Sequence, residues 1–216
     1  MDDDTCLVDL VPSLSSFTFQ RHELVEGTAE LRLDFYEMAA RRLAAGGVPT
    51  VFLERVGPCS YLARHCPGPP FEVVVKNRAT GNSLNKYPGL FAEGQRFDPP
   101  VVKFDYRVDP DDMPIGDDYV RAAGGDVDSW RALALATNEI LRAWLEPLEL
   151  WDFCIIIGEG SDGRSALNSE VSPDCMRLRS PAGAAIDKDL FRRGASAEEI
   201  CRAWAGLVTR LRSTPA

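Results

Sequence analysis

The stretch Phe71-Glu-Val-Val-Val-Lys-Asn-Arg-Ala-Thr-Gly81 decides how the rest of the chain is read. Val73, Val74 and Val75 are β-branched in succession and bounded by polar residues, the pattern of a buried strand over Phe71 to Asn77. Downstream, Gly81, Pro88, Gly89 and Gly94 keep the chain irregular until Val101 to Tyr106 reads as a second strand. An acidic loop follows from Asp109 to Asp118. Upstream, Pro49 to Val56 is a short β-rich segment, and Gly57 to Pro70 is a loop dense in Pro, Gly and Cys.

Helical periodicity appears on both sides of this region. Leu31, Phe35, Met38, Ala39 and Leu43 fall on one helix face between Gln20 and Gly47, where a Gly pair stops the helix. Asp128 is placed to cap a long helix whose inner face is Trp130, Leu133, Thr137, Ile140, Leu141 and Trp144. Phe153 to Ile157 is a short apolar strand, and a turn at Ser161-Asp162-Gly163 returns the chain through Ala166 to Val171 as a hairpin. Ser196-Ala-Glu-Glu199 is a capping box for a last helix with Ile200, Trp204, Leu207, Val208 and Leu211 inward. Strands and helices do not alternate strictly, so the fold class is α+β. No P-loop occurs, and no Gly-x-Gly-x-x-Gly follows a strand.

Composition narrows the partners. The chain has 216 residues, 33 acidic against 24 basic side chains and a net charge of −9, which does not supply the field that a phosphate backbone needs. No nucleic-acid partner is expected. The opening Met1-Asp2-Asp3-Asp4 lacks the basic and apolar segments of a secretory signal, and no 18 apolar residues run together, so no membrane partner and a cytoplasmic location are expected. Six cysteines without a Cys-x-x-Cys pair read as reduced thiols. Cys59, His65 and Cys66 lack a fourth ligand, and no metal site is expected.

Four blocks in order carry a resemblance: Glu72 to Gly81; Asn85-Lys-Tyr-Pro-Gly89 with Pro99-Pro100; Ser172-Pro-Asp-Cys-Met-Arg177; and Asp187-Lys-Asp-Leu-Phe-Arg192. Together they resemble the SAICAR synthetase family, ligases that use ATP to join aspartate to a carboxylated aminoimidazole ribonucleotide. The resemblance implies a SAICAR synthetase-like α+β fold. It has a small β-rich N-terminal lobe, truncated, over 1–75 and a larger α/β lobe with the ribonucleotide-binding loops over 76–216. It further implies a small-molecule ribonucleotide as partner, with Lys76, Asn77, Arg78, Ser83, Lys86 and Arg177 as its binding residues, and a homo-oligomer. Lys76 stands where the family usually has arginine, which keeps the charge and gives up the bidentate fork.

The part of the family pattern that serves ATP differs more. The chain begins after the family's Gly-Lys-x-Lys turn. Ile156 replaces the acidic residue of Leu-Glu-Phe-Gly, Ser169 replaces the aspartate of Asp-Glu-x-Ser-Pro-Asp, and Cys154 replaces a lysine. Ser13-Leu-Ser-Ser16 stands for Asp-x-(Thr/Ser)-Ala, and Arg32-Leu33 aligns with an Asn-Asn pair. Magnesium takes hard oxygen ligands, so these changes lead to an expectation of no cofactor. The expected function is an ATP-independent ring closure or rearrangement of an imidazole or purine-type ribonucleotide, as in nucleoside antibiotic pathways of the pentostatin and coformycin type. Asp152, Asp174, Glu170 and Asp112 are the carboxylates available for proton transfer there, with Arg107 and Lys188 as electrostatic partners. One alternative is the ATP- and magnesium-dependent ligase itself, with Glu170, Asp152 or Asp174 recruiting the metal. Another is a non-catalytic nucleotide-binding or assembly subunit.

Overall fold

Residues 4–16, 19–108 and 112–213 are described by the structure, a computed structural model. The chain opens with β1 (Thr5–Asp9), the hairpin β2 (Ser13–Ser16) and β3 (Arg21–Leu24), and helix α1 (Thr28–Ala45). β4 (Phe52–Arg55) and β5 (Ser60–Arg64) pair antiparallel with each other and, through β5, with β1. The segment Gly57 to Pro70 is therefore not all loop. Tyr61 and Ala63 are buried on alternate positions of β5, a period of two that its Pro and Cys neighbours hide.

The second half begins with β6 (Phe71–Arg78), the short helix α2 (Asn82–Asn85), β7 (Arg96–Tyr106) and β8 (Met113–Ile115). Helices α3 (Asp117–Ala122) and α4 (Val127–Leu145) lead to β9 (Glu149–Ile155). The hairpin β10 (Ile157–Glu159) and β11 (Ser165–Leu167), then β12 (Met176–Arg179), α5 (Asp189–Arg192) and α6 (Ala197–Arg212) complete it. Five strands form an antiparallel sheet in the order β12-β9-β6-β7-β8. With helices packed on that sheet, the fold is α+β. β6 runs across positions 75 and 76.

The valine run occupies the middle strand, as its composition predicts. Val73 and Val75 point to α4 and pack in one core with Phe104, Leu141, Phe153 and Ile155. β7 starts at Arg96, earlier than the predicted Val101. Pro99 and Pro100 fall where the β6 ladder is interrupted between Lys76 and Arg78, so neither proline breaks a regular rung. The acidic loop contains β8, and Asp109 to Asp111 lie outside the described residues, as do Asp2 and Asp3.

Helix caps follow local chemistry. Asp126, not Asp128, caps α4 by accepting the Ser129 N–H, while Asp128 sits in the first turn. Ser196 and Glu199 form the predicted capping box of α6, whose Ile200, Trp204, Leu207, Val208 and Leu211 are all buried. Ser196→Ala is expected to cost about 1 kcal/mol, read as a shift of the urea midpoint at unchanged slope. Among the described residues no helix is long and apolar enough to cross a membrane.

Candidate functional site

α4 covers one face of the five-stranded sheet, and the other face is the floor of a cleft of about 820 Å³. Strand alternation decides which side chains reach it: Glu72, Val74 and Lys76 of β6. The ladder sets Asp105 opposite Glu72, Lys103 opposite Val74, Cys154 beside Val74 and Asp152 beside Lys76. Arg177 lies opposite Asp152 one strand further on. Ser15 and Ser16 of the β2–β3 hairpin, with Asn82, Asp174, Lys188 and Arg192, form the walls.

A buried ionic chain supports one end of this floor. Asp152, 2 % exposed, accepts from Lys76 Nζ at 2.8 Å and from Arg177 Nη1 at 2.8 and 3.1 Å. Burial alone would push its carboxyl up, but the Arg177 guanidinium and the Lys76 ammonium hold it below its ordinary range. Arg177 Nε reaches Asp189, which also takes Arg192 Nη1 at 2.8 Å and Arg179 Nη2. Arg179 Nη1 meets Asp187 at 2.7 Å. The chain thus has four cations (Lys76, Arg177, Arg179, Arg192) against three carboxylates (Asp152, Asp187, Asp189), a positive excess inside an acidic protein.

Arg177 is aimed by this network. Its Nε and Nη1 are held by carboxylates, and its Nη2 faces Gly81, where a Cβ would stand only 2.8 Å away. Gly81 also has φ +53°, so both space and backbone require glycine there.

Burial first, and the Asp189 charge second, push the Asp187 carboxyl up to about 6, while the surrounding arginines overcome burial and hold Asp189 at about 2. Asp187 therefore binds its proton more tightly in the folded chain, and that contribution to stability is full below about pH 4 and lost as pH rises through about 6. Asp189 acts oppositely, its contribution being lost only as pH falls towards 2. The wild type is expected to gain stability over Asp187→Asn as pH falls from 7 to 4.5, measured by urea midpoints. A gap independent of pH would remove the titration of Asp187 from the account.

The predicted site residues divide into those that reach the cleft and those that do not. Asp152, Asp174, Asp112, Arg107, Lys188, Lys76 and Arg177 line it. Lys76 is 3 % exposed and bonded to Asp152 and the Thr80 carbonyl, so it supports Asp152 and Arg177 from beneath. Asp174 faces Lys188 at 3.0 Å. Lys86 donates to the Asp112 carbonyl at 2.6 Å and ties the loop after α2 to the cleft rim. Asn77 points to the opposite face and exchanges hydrogen bonds with Asn138. Arg78 turns away at the β6 irregularity to Glu149, Gly94 and the Trp151 ring. Ser83 is buried beside the cleft, and its neighbour Asn82 reaches it.

Glu170 lies outside the lining. Arg32 grips both its oxygens, at 2.6 and 2.8 Å, and the Ser172 hydroxyl adds a third bond at 2.7 Å. A protein-held magnesium ion does not fit this donor set. Of the carboxylates named to recruit one, Glu170 is held by Arg32 and Asp152 by Lys76 and Arg177, while Asp174 faces Lys188 as an ion pair with its Oδ1 making no hydrogen bond. Among the described residues no three His, Cys, Asp or Glu side chains converge on one point.

Sequence reading missed Glu72, Lys103, Asp105, Asn82 and Arg192 as cleft residues. The signal was available in Glu72, a carboxylate two positions before Val74 on an otherwise apolar strand. Lys103 and Asp105 alternate in the same way across from it.

The sequence pattern of the family described as SAICAR synthetase matches residues 1–210. The phosphoribosylaminoimidazole-succinocarboxamide synthase of Lactococcus lactis is 32% identical over 199 residues, covering 89% of this chain and 84% of that protein. The protein of the same name from Methanothermobacter thermautotrophicus is 39% identical over 160 residues, covering 70% of this chain and 64% of its own length. The solved SAICAR synthetase of Pyrococcus horikoshii superposes with a TM-score of 0.88 at 24% identity, over 100% of this chain and 97% of that one. The fold expected from the four blocks is thereby shown. The expected ATP-independent ring closure in nucleoside antibiotic chemistry is overturned, because relatives matched over most of the chain carry the ligase's name. Its alternative, the purine-pathway ligase, is the reading that these relatives favour. The chain belongs to the SAICAR synthetase family of ligases.

Proposed function

We propose that the chain is an amide ligase of purine biosynthesis, joining the amine of aspartate to the carboxylate of carboxyaminoimidazole ribonucleotide as ATP becomes ADP and phosphate. The observation that carries the reading, beside family membership, is the positive excess at the Arg177 end of the cleft. A ribonucleotide 5′-phosphate is a compact dianion, and Arg177 with Arg192 presents guanidinium donors that fit its oxygens.

The ATP group activates the substrate carboxylate. A carboxylate oxygen takes the γ-phosphoryl group, ADP leaves, and the amine attacks the acyl carbon so that phosphate departs with that oxygen. The ammonium loses two protons overall, one to the phosphate and one to solvent. This chain's own residues bind and orient: Arg177 and Arg192 fix the phosphate, and Lys188 supplies a positive charge beside Asp174 on the cleft wall. Asp174 is the cleft carboxylate placed to accept a proton. These fixed cations supply positive charge at the wall.

The test is ADP formation with each substrate left out in turn. The reading requires that aspartate and the ribonucleotide both be present for stoichiometric ADP release. ADP release indifferent to aspartate, or none with all three substrates, would sink it.

A further inference from the structure

Two cysteines stand opposite each other on neighbouring strands of the cleft floor. In the β9–β12 ladder Met176 faces Phe153, and one step outward the Cys154 N–H donates to the Cys175 carbonyl at 2.9 Å, which carries the ladder on to the two cysteines. Both side chains line the cleft, so they leave the ladder on the same side. Residues opposed at a hydrogen-bonded rung have Cα atoms about 5.5 Å apart, inside the roughly 4.4–6.8 Å that a disulfide spans. The thiols are tied only by sulfur hydrogen bonds, which are weak. Cys154 Sγ has the Cys175 carbonyl at 3.5 Å and the Glu72 carboxyl as acceptors. Cys175 Sγ donates to the Ser172 carbonyl at 3.2 Å and accepts the Ser172 N–H at 3.3 Å. Each cysteine is partly exposed, within reach of a small reagent. Cys6 and Cys201 are placed differently, the first opposite Ala63 of β5 and the second against the Glu26 carbonyl.

We propose that Cys154 and Cys175 are a dithiol–disulfide couple in the cleft wall, oxidised by a low-molecular-weight disulfide. One protein thiolate attacks the reagent, forming a mixed disulfide and releasing one half as a thiol; the second attacks the mixed disulfide and releases the other half. Two electrons pass from the cysteines to the reagent, and the two thiol protons leave on its halves. Burial keeps both thiols neutral, so the exchange is slow. Closing the bond draws Cys175 Sγ off Ser172 and loosens the turn from Ser172 to Cys175, in which the Ser172 hydroxyl also holds the Asp174 N–H at 3.2 Å. Asp174 is thereby moved from its place beside Lys188, and the oxidised chain is the inactive one. The couple stands apart from the ligase reading; its effect on turnover rests on it.

The test brings the whole chain to equilibrium over a series of ratios of oxidised to reduced glutathione, alkylates it, and maps the digest by mass spectrometry. The couple requires that Cys154 and Cys175 escape alkylation together, over one midpoint, in a linked pair of peptides. ADP release by the oxidised chain should fall about tenfold or more, because a displacement of about 1 Å at a positioned group costs up to a hundredfold, and dithiothreitol should restore it. Cys175→Ser should show no such fall on oxidation. Absence of the link at every ratio, with the two thiols alkylated or carrying glutathione, overturns the couple. A link that leaves ADP release unchanged, or an equal fall in Cys175→Ser, overturns the switch. If the link forms and the reduced chain makes no ADP, the couple stands and the ligase reading falls.

Discussion

Asp152→Ala is expected to lower folding stability by about 3–5 kcal/mol, because it leaves Lys76 and part of Arg177 as buried cations without their carboxylate. Lys76 cannot escape to solvent: it is 3 % exposed, lies on the central strand, and keeps only the Thr80 carbonyl as partner. Asp152→Asn keeps the shape but gives up the charge, and its loss should be smaller than that of the alanine variant. Paired replacement of Lys76 and Asp152 by Met and Leu should recover part of the loss, since a buried ion pair exchanged for apolar groups of similar size is often neutral. Urea unfolding followed by far-ultraviolet circular dichroism reads these differences. An Asp152→Ala midpoint equal to that of the wild type would show that the ionic chain is not formed.

Arg177→Ala is expected to weaken binding of an imidazole ribonucleotide monophosphate by about 2 kcal/mol or more, close to thirtyfold, since hydrogen bonds between charged groups are worth about 1.5–3 kcal/mol each. The matching nucleoside, without the phosphate, should bind the variant and the wild type alike. That contrast separates contact with phosphate from a general loosening of the site. Arg177→Lys should not restore binding, because one ammonium cannot fill the positions held by Nε and Nη1 and still present a donor beside Gly81. If nucleotide and nucleoside lose affinity equally, Arg177 acts only through the ionic chain.

Much of the fold could be read from the residues because burial there follows simple patterns. The Val73 to Val75 run marks the central strand, and the spacing of Ile200, Trp204, Leu207, Val208 and Leu211 marks α6. The capping box at Ser196 is a local signal in which both partners lie within four residues. What was hidden depends on pairings between distant segments. Lys76 and Arg78 have the same strand parity, yet an irregularity between them sends one under the cleft and the other out to Trp151. Glu170 looks available until Arg32, 138 positions away, closes on it. Glu72 and Asp105 become neighbours only through the β6–β7 register, which no local pattern states. Asp152, Arg177 and Asp189 come from three separate segments of the sequence, and the ion pairs that join them bring those segments to one site.

Two cysteines, Cys154 beside Val74 of β6 and Cys175 next to Asp174, line the cleft. Burial, with Glu72 beside it, pushes the Cys154 thiol well up, and burial pushes Cys175 up to about 12, so both stay protonated and neutral near pH 7. The charged chemistry of the cleft therefore rests on its carboxylates, lysines and arginines.

Transfer of oxygen from the substrate to phosphate tests the ligase reading most directly. Carboxyaminoimidazole ribonucleotide labelled with ¹⁸O in its carboxylate is turned over with ATP and aspartate, and the released phosphate is examined by ³¹P NMR. Activation of the carboxylate predicts one ¹⁸O in each phosphate formed, in step with the amide product. Phosphate without label, or consumption of the ribonucleotide with no ADP or amide formed, would contradict the account.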